Sequence, residues 1–310
     1  MSLPTHFTLN TGAKIPAVGL GTWQSKPGEV RKAVAYALKD GYRHIDAALI
    51  YGNEVEVGQG IVDSGVPRKD IFLTSKLWNT DHPNVAEGLE KSLKSLGVDY
   101  LDLYLIHWPV RLVPNESHPL LPVNPDGTRA VDRAWNMSET WRQMEEVYKI
   151  GKVKAIGVAN WSIPYLEDLE KSWTVVPAVN QVELHPLLPQ HELRAWCHQR
   201  GILLEAYSPL GSTGAPIAAD EAIQAMAAKY NVSPAAILIS YHINRGDVVL
   251  PKSVSEGRIT SNHKELVSLE QADLDVLNGL AAQGKAKRIN TPLWGFDLGF
   301  ADWYGPVKSV

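Results

Sequence analysis

Glycines recur in this chain at the ends of helical patterns, and each one is followed by a short apolar segment. The segments read YRHID, VDYLDLYLIHW, KVKAIGVAN, ILLEAYS and DVVLPKS, and they follow Gly41, Gly97, Gly151, Gly201 and Gly246. Glycine commonly ends a helix because it adopts the left-handed backbone conformation at little steric cost. Short apolar runs between helices are typical of buried parallel strands. The alternation therefore predicts a parallel sheet with helices packed outside it.

Eight such strand segments can be counted, which is the number in a closed (β/α)8 (TIM) barrel. The predicted strands are 17–22, 43–47, 71–76, 101–107, 154–159, 178–183, 203–207 and 248–251. The opening segment HFTLNTGAKIP turns at residues 10–12 and predicts an N-terminal β-hairpin that covers the bottom of the barrel. Two long connections are 109–135 and the aromatic-rich tail beyond residue 284, and loops of this length are usually functional or disordered. The aromatic residues of the tail favour function or packing against the barrel.

Length and composition are consistent with one barrel domain spanning residues 1–310. The formal charge of -4 gives no general attraction to nucleic acid, and no apolar run is long enough to cross a membrane. The N-terminus lacks the order of a signal peptide. The single cysteine, Cys197, excludes an internal disulfide and favours a packing role over a nucleophilic one. We expect a cytoplasmic protein.

Four side chains at or just beyond the strand ends suggest acid–base chemistry. Asp46, Lys76 and His107 end three strands, and Tyr51 follows Asp46 after a short loop. The C-terminal ends of barrel strands share one face, where active sites of such barrels lie. A nearby ammonium lowers the pKa of a phenol by stabilising the phenolate, and a carboxylate can orient that ammonium. The group is therefore a candidate polarised proton donor, with His107 placed to bind a carbonyl oxygen.

Each of these residues also has a structural interpretation. A buried Asp–Lys pair is commonly structural, and a histidine at a strand end often satisfies only local hydrogen bonds. The presence of all four residues on one barrel face favours catalysis over that interpretation.

The same face offers groups that suit a nicotinamide cofactor. There is no G-x-G-x-x-G at a strand-to-helix turn, so a Rossmann site is not expected. The amides of Asn160 and Gln181 suit a carboxamide, and Tyr207 offers a flat ring for stacking. Lys252, Ser253 and Arg258 form a cationic cluster suited to a phosphate monoester, although a solvated helix start would look the same.

Four tryptophans predict an aromatic substrate pocket. Trp23, Trp78 and Trp108 lie at or just beyond strand ends, and Trp294 belongs to the tail. His185 lacks partners at metal-ligand spacing, so a structural role is expected for it. No cluster of histidines, cysteines or carboxylates in the sequence suggests a catalytic metal.

Over nearly its whole length the chain resembles the aldo-keto reductase family. The resemblance rests on GLGTW (19–23), GYRHIDAALIYGNEVEVG (41–58), LTSKLW (73–78), LDLYLIHWP (101–109), NQVELHP (180–186), AYSPLG (206–211) and LPKSVSEGR (250–258). It implies a (β/α)8 barrel that reduces aldehydes and ketones with NADPH and without metal. The implied catalytic tetrad is Asp46, Tyr51, Lys76 and His107.

The resemblance also implies cofactor contacts along the face. These lie at Gly21, Thr22, Trp23, Asp46, Asn160, Gln181, Tyr207, Ser208, Leu210, Lys252, Ser253, Arg258 and Asn262. The substrate contacts that we expect are Trp23, Tyr51, Trp78, His107, Trp108 and Trp294. The cluster around Lys252 is thereby interpreted as a preference for NADPH over NADH.

Three positions depart from the family pattern. Ala159 replaces a common serine, and Ser261 replaces a common glutamate beside the adenine-side Asn262. The segment 211–216 is short, which predicts a looser hold on the cofactor and its faster exchange. Fungal glycerol dehydrogenases and glyceraldehyde or aldose reductases are the members that the N-terminal segment most resembles. This segment, residues 7–30, reads FTLNTGAKIPAVGLGTWQSKPGEV.

Alternative functions remain at this point. One is a non-catalytic, nucleotide-sensing or structural protein of the same fold, and another is a phosphate-sugar isomerase or aldolase. The direction of reaction, carbonyl reduction or polyol oxidation, is also open. The expected partner is a small carbonyl or polyol, and the expected state is a monomer.

Overall fold

The computed structural model describes residues 3–303 and begins with the predicted hairpin. Strand β1 (His6–Thr8) pairs antiparallel with β2 (Lys14–Pro16). Leu9 and Ile15 of this hairpin are buried in a cluster with Phe72 and Val248, which are the first residues of two barrel strands. The hairpin therefore packs against the N-terminal ends of the strands and leaves the opposite face open.

Eight parallel strands follow in sequential order, as predicted. They are β3 (Leu20–Gly21), β4 (His44–Asp46), β5 (Phe72–Leu77), β6 (Leu103–Ile106), β7 (Ile156–Ala159), β8 (Val179–Glu183), β9 (Leu203–Tyr207) and β10 (Val248–Leu250). Parallel bridges from Val18 to Val249 and from Gly21 to Lys252 join the first strand to the last. These bridges close the barrel.

The seam between first and last strands explains one glycine of the GLGTW motif. A Cβ atom at Gly19 would lie 2.6 Å from Leu250 Cδ2 and 2.7 Å from His44 Nδ1. Only glycine allows these strands to approach so closely. The first strand is also shorter than the predicted 17–22, because the seam pairs through isolated bridges instead of a continuous ladder.

Ten helices of the described chain accompany the strands. They are α1 (Glu29–Asp40), α2 (Glu54–Ser64), α3 (Val85–Leu96), α4 (Met137–Lys149), α5 (Ile163–Glu170), α6 (His191–Gln199), α7 (Glu221–Tyr230), α8 (Pro234–Arg245), α9 (Glu256–Lys264) and α10 (Gln271–Gly279). Gly41, Gly97 and Gly246 end helices with φ values of 117°, 66° and 84°, as the sequence pattern predicted. None of the helices among residues 3–303 combines the length and apolarity needed to cross a bilayer.

One side chain caps the N-terminus of helix α4. The Asn136 side chain accepts a hydrogen bond from the Ser138 backbone N–H at 2.9 Å, so it does cap the helix. Glu139 makes no reciprocal side-chain bond and instead lies near Arg142 on the exposed helix surface. The buried face of the helix contains Trp141, Met144 and Val147.

Both long connections are anchored to the barrel. Short antiparallel bridges, Leu112 to Val131 and Val123 to Arg129, give the 109–135 loop its shape. The Leu112 N–H donates to the carbonyl oxygen of Asn79, just beyond β5, at 3.0 Å and so ties the loop to the barrel. The tail is held by Glu183, whose carboxylate accepts hydrogen bonds from the backbone N–H groups of Ile289 and Asn290, both at 2.7 Å. The two connections therefore form fixed walls at the open face. Tyr304 of the predicted aromatic tail lies outside the described residues.

Candidate active site

A cleft of about 650 Å³ lies at the C-terminal ends of the strands. Most of the residues predicted for the site line this cleft. They are Gly21, Thr22, Trp23, Asp46, Tyr51, Trp78, His107, Trp108, Asn160, Gln181, Tyr207, Ser208, Lys252 and Trp294. Lys76 lies buried beneath it in contact with Asp46. Leu210, Ser253, Arg258 and Asn262 are not among the lining residues.

Lys76 and Asp46 form a buried ion pair on neighbouring strands. Lys76 Nζ donates hydrogen bonds to both carboxylate oxygens of Asp46 at 2.8 Å and to the carbonyl oxygen of Ala47 at 2.9 Å. Burial opposes the charge on Lys76, but Asp46 and the neighbouring phenol and carboxyl outweigh it, so the pKa of Lys76 is raised. The ammonium therefore remains charged although its side chain is fully buried.

Tyr51 completes the contact from a short 3-10 turn after β4. Its hydroxyl accepts a hydrogen bond from Lys76 Nζ at 3.4 Å. Burial raises the pKa of Tyr51 to about 12, while the charge of Lys76 acts in the opposite direction. The expected lowering by the ammonium is thus present, but desolvation is larger and reverses the net shift. Tyr51 holds its proton at neutral pH.

His107 lies between the phenol and the aromatic wall. Its ring centroid is 5.7 Å from that of Tyr51 and 5.3 Å from that of Trp78, both nearly perpendicular. Burial, with a smaller effect of Lys76, holds the pKa of His107 well below its usual value. The imidazole is therefore neutral and carries one N–H, which suits it to orient an oxygen and not to compete with Tyr51 as an acid.

A second carboxyl, Glu205 on β9, lies behind the pair and was missed by the sequence reasoning. The Gln181 amide nitrogen donates to Asp46 Oδ1 at 2.9 Å and to Glu205 Oε2 at 2.6 Å. Burial, followed by the charge of Asp46, raises the pKa of Glu205 to about 8. Burial lowers the pKa of the adjacent His44 to about 3. The 3.5 Å approach of His44 to Glu205 is therefore a contact between two neutral groups near neutral pH.

The amides predicted for the cofactor are already partly engaged. Asn160 donates to the His107 carbonyl at 2.9 Å and accepts from the Tyr207 hydroxyl at 2.7 Å. Its backbone has a φ of 65°, a conformation that asparagine tolerates better than most residues. Because the amide nitrogen of Gln181 is taken up by carboxyl groups, its oxygen is the atom left to accept a bond from a carboxamide.

The cationic cluster lies at one end of the cleft and continues beyond it. Lys252 lines the cleft and donates to the Gln24 carbonyl at 3.2 Å. The pKa of Lys252 is lowered, mainly by burial and further by the nearby positive charge of Arg258. Within the described chain neither cation has a carboxylate within ion-pair distance.

Ser253 and Asn262 are buried near these cations. The Ser253 hydroxyl accepts a hydrogen bond from the Ser255 N–H at 3.1 Å, immediately before helix α9. This bond fixes the turn that precedes the helix. The short segment 211–216 contacts Gln24 through the Thr213 hydroxyl at 3.2 Å, and its predicted effect on cofactor exchange stays a prediction.

The predicted indoles do form a wall. Trp108 and Trp294 lie 5.6 Å apart between ring centroids, and Trp78 lies 6.4 Å from Trp294. These three are buried, whereas Trp23 is exposed at the edge of the cleft. Trp78 Nε1 donates to the Leu120 carbonyl at 2.5 Å, which ties the 109–135 loop to the wall.

Several lining residues carried no usable sequence signal. They are Ile50, Leu121, Arg129, Leu250 and residues 289–293. Most belong to the two long connections, where no hydrophobic period reveals which side chains turn inward. Glu205 did have a signal, because it is a lone acid in the apolar strand ILLEAYS.

Two expected structural roles agree with the geometry. Cys197 is fully buried, and burial raises the pKa of its thiol to about 12, which leaves it unreactive. His185 lies 3.0 Å from the Glu183 carboxylate and is also buried. Among the residues that the structure describes, no group of three or more histidines, cysteines or carboxylates could hold a metal ion.

Comparison with known proteins gives consistent matches. Residues 17–282 match the model of the Aldo/keto reductase family. A D-galacturonate reductase of Hypocrea jecorina is 51% identical over 305 residues, and the match covers 96% of this chain and 98% of the reductase. A glycerol 2-dehydrogenase (NADP(+)) of Saccharomyces cerevisiae is 53% identical over 295 residues, covering 93% and 94%.

A solved structure agrees with these sequence matches. The aldose reductase from Schistosoma japonicum superimposes with a TM-score of 0.87 at 34% identity, over 100% of this chain and 99% of that one. The predicted barrel and the predicted resemblance to fungal glycerol dehydrogenases and aldose reductases are thereby confirmed.

Proposed function

Because the chain belongs to the aldo-keto reductase family, we propose that it reduces small aldehydes and ketones with NADPH, using Tyr51 as the proton donor. The family consists of oxidoreductases that work with a nicotinamide cofactor. The observation that carries the proposal is the contact of Lys76 with both Asp46 and the Tyr51 hydroxyl at the base of an aromatic cleft.

Bound NADPH supplies the hydride. The residues of the chain position the substrate and supply the proton. The substrate oxygen lies between the Tyr51 hydroxyl and the neutral His107 ring, which bind and orient it by hydrogen bonds. As negative charge develops on that oxygen, the Lys76 ammonium stabilises it through Tyr51, and Asp46 holds the ammonium in place.

The raised pKa of Tyr51 is compatible with this role. An alkoxide is a stronger base than a phenolate, so Tyr51 with a pKa of about 12 still protonates it favourably. The buried indoles of Trp78, Trp108 and Trp294 exclude water from the oxygen while the proton moves.

The residues present fit the proposed cofactor. Gln181 retains a free amide oxygen, and Asn160 and Tyr207 line the same part of the cleft, as a carboxamide and a flat ring require. Lys252 and Arg258 are close cations without carboxylate partners in the described ranges, which suits the additional phosphate of NADPH. We propose further cofactor contacts at Gly21, Thr22, Trp23, Ser208, Leu210, Ser253 and Asn262.

Small polar substrates fit the names of the relatives, which include a D-galacturonate reductase and a glycerol 2-dehydrogenase. Glyceraldehyde, aldoses and related carbonyls are the substrates we propose for reduction. The second name also favours polyol oxidation as the reverse reaction of the same site.

The test is consumption of NADPH in the presence of glyceraldehyde, for the natural protein and for Tyr51→Phe. Because Phe removes only the hydroxyl, we expect turnover to fall by about a hundredfold to ten-thousandfold while NADPH still binds. Ordinary turnover in Tyr51→Phe would show that another group is the acid. Absence of NADPH consumption by the natural protein with any carbonyl would favour the non-catalytic alternative, and turnover without cofactor would favour the isomerase or aldolase.

We also propose a monomer in the cytoplasm. The buried Cys197 thiol is compatible with a reducing compartment. Light scattering of the purified protein tests the monomer, for which a single species near the chain mass of 34.1 kDa is expected.

A further inference from the structure

Arg129 is a half-buried cation in the wall of the cleft. It follows the turn of the 109–135 loop and pairs with Val123 across a short antiparallel bridge. Its Nη1 donates a hydrogen bond to the Leu121 carbonyl at 2.8 Å. This bond fixes the guanidinium and leaves its other N–H groups for a second partner.

No carboxylate within residues 3–303 pairs with Arg129. Arg111 of the same loop pairs with Asp132, and Arg288 of the tail pairs with Asp302. Arg133 also has no carboxylate partner in the described chain, but it is exposed to solvent and donates to the Gly295 carbonyl. The cleft itself cannot supply the missing charge, since Asp46 is the one carboxylate among its lining residues and is already paired with Lys76. A half-buried guanidinium without a counter-ion favours an anionic ligand.

The position of Arg129 places it on the substrate side of the cleft. The carbonyl it binds belongs to Leu121, and the adjacent Leu120 carbonyl accepts the bond from Trp78 Nε1 at 2.5 Å. Trp78 in turn contacts His107, with ring centroids 5.3 Å apart. Arg129 is therefore connected to the aromatic wall around the reacting oxygen and not to the cation cluster proposed for the cofactor phosphate.

We propose that Arg129 binds the carboxylate of substrates that carry one at a distance from the carbonyl, so that aldehydic acids are a preferred substrate class. This inference rests on the proposed function. The planar guanidinium can form two parallel hydrogen bonds with a carboxylate, which both selects the acid and orients its far end. A neutral aldehyde of the same size lacks this contact.

A structural interpretation competes with this one, because the bond to Leu121 also fastens the loop. The experiment compares para-formylbenzoate with its methyl ester in the natural protein, Arg129→Met and Arg133→Met. Arg133 is a matched control: it lies in the same loop and donates to the Gly295 carbonyl at 2.8 Å, but it does not line the cleft.

Binding of the carboxylate predicts a selective loss. In Arg129→Met the ratio of kcat/KM for the acid to that for the ester should fall by about tenfold to a hundredfold, mostly through KM. Arg133→Met should leave this ratio unchanged. In the natural protein, added salt should raise KM for the acid more than for the ester, and Arg129→Met should lose this difference.

An equal loss for acid and ester in Arg129→Met would overturn the inference and assign the residue a loop-fastening role. Unchanged kcat/KM for both substrates would overturn it as well. If the natural protein reduces neither substrate, nor any other carbonyl, the proposed function itself fails. If the natural protein reduces the ester and its acid-to-ester ratio does not depend on Arg129, the proposed function stands and only the carboxylate site is rejected.

Discussion

Lys76 Nζ lies 2.8 Å from each carboxylate oxygen of Asp46, although both side chains are almost completely removed from solvent. Removing two charges from water is costly, and their attraction offsets that cost only while both remain. A buried ion pair of this kind therefore adds little net stability to the fold. Its position beneath Tyr51 is consistent with a role in the chemistry.

Breaking this pair from one side should destabilise the fold. Asp46→Asn leaves the Lys76 charge without a partner, so we expect the free energy of unfolding to fall by about 3–5 kcal/mol. Lys76→Met combined with Asp46→Asn should cost less than the sum of the two single changes, because no charge is left unpaired. Urea unfolding of the three variants measures this. Additive losses would show that the two charges do not depend on one another.

The pKa of Tyr51 gives the two directions of reaction different pH dependences. Reduction requires the phenol, which persists across neutral pH because the pKa is raised to about 12. Oxidation of an alcohol requires the phenolate, so its rate should rise roughly tenfold per pH unit below that pKa. Initial rates with glyceraldehyde and glycerol over an alkaline series check this. An oxidation rate that stays flat with pH would contradict the assignment of Tyr51.

Much of the fold follows from residues that the sequence displays directly. The apolar segments after glycines became barrel strands, and the parallel register placed Asp46, Tyr51 and His107 at one cleft. Whether the phenol is made more or less acidic could not be foreseen. That sign depends on the balance between burial of Tyr51 and its 3.4 Å contact with Lys76, which is a property of packing.

The site residues that were not predicted lie where the sequence shows no periodic pattern or where the contact depends on strand register. Arg129 sits in a loop whose shape is set by bridges such as Val123 to Arg129, and no periodicity indicates that it turns toward the cleft. Glu205 was visible as an acid in an apolar strand, but its contact with Gln181 requires the register of β8 and β9. Side-chain direction in a barrel follows from register, which one strand alone does not reveal.

Glu205 should make stability fall as pH rises. Its pKa of about 8 lies above the ordinary value, so the folded state keeps a proton that the unfolded chain has lost between these values. Stability contributed by this proton is therefore lost from about pH 5 to about pH 8, by at most about 1.4 kcal/mol per pH unit. Glu205→Gln should become more stable relative to the natural protein across this range, as measured by urea unfolding.

Glu145 provides a matched control for that experiment. Hydrogen bonds from Thr174 and Val175 lower the pKa of Glu145 despite the opposing effect of burial. Its contribution is lost only as pH falls through that lowered pKa. Glu145→Gln should therefore shift the stability curve without changing its slope between about pH 5 and about pH 8. If Glu205→Gln has the same slope as the natural protein, Glu205 is ionised in the folded state.

Cofactor preference should depend on the two cations at the end of the cleft. Lys252→Ala and Arg258→Ala each remove a positive charge proposed to contact the additional phosphate of NADPH, a group that NADH lacks. Each variant should weaken NADPH binding by about tenfold or more and NADH binding far less, because a charged hydrogen bond contributes about 1.5–3 kcal/mol. Fluorescence titration with both cofactors measures the two dissociation constants. Lys264→Ala is the control, since Lys264 lies on helix α9 together with Arg258 and pairs with Asp40 at 2.5 Å. Equal weakening of NADPH and NADH would mean that these cations hold a part common to both cofactors, such as the pyrophosphate.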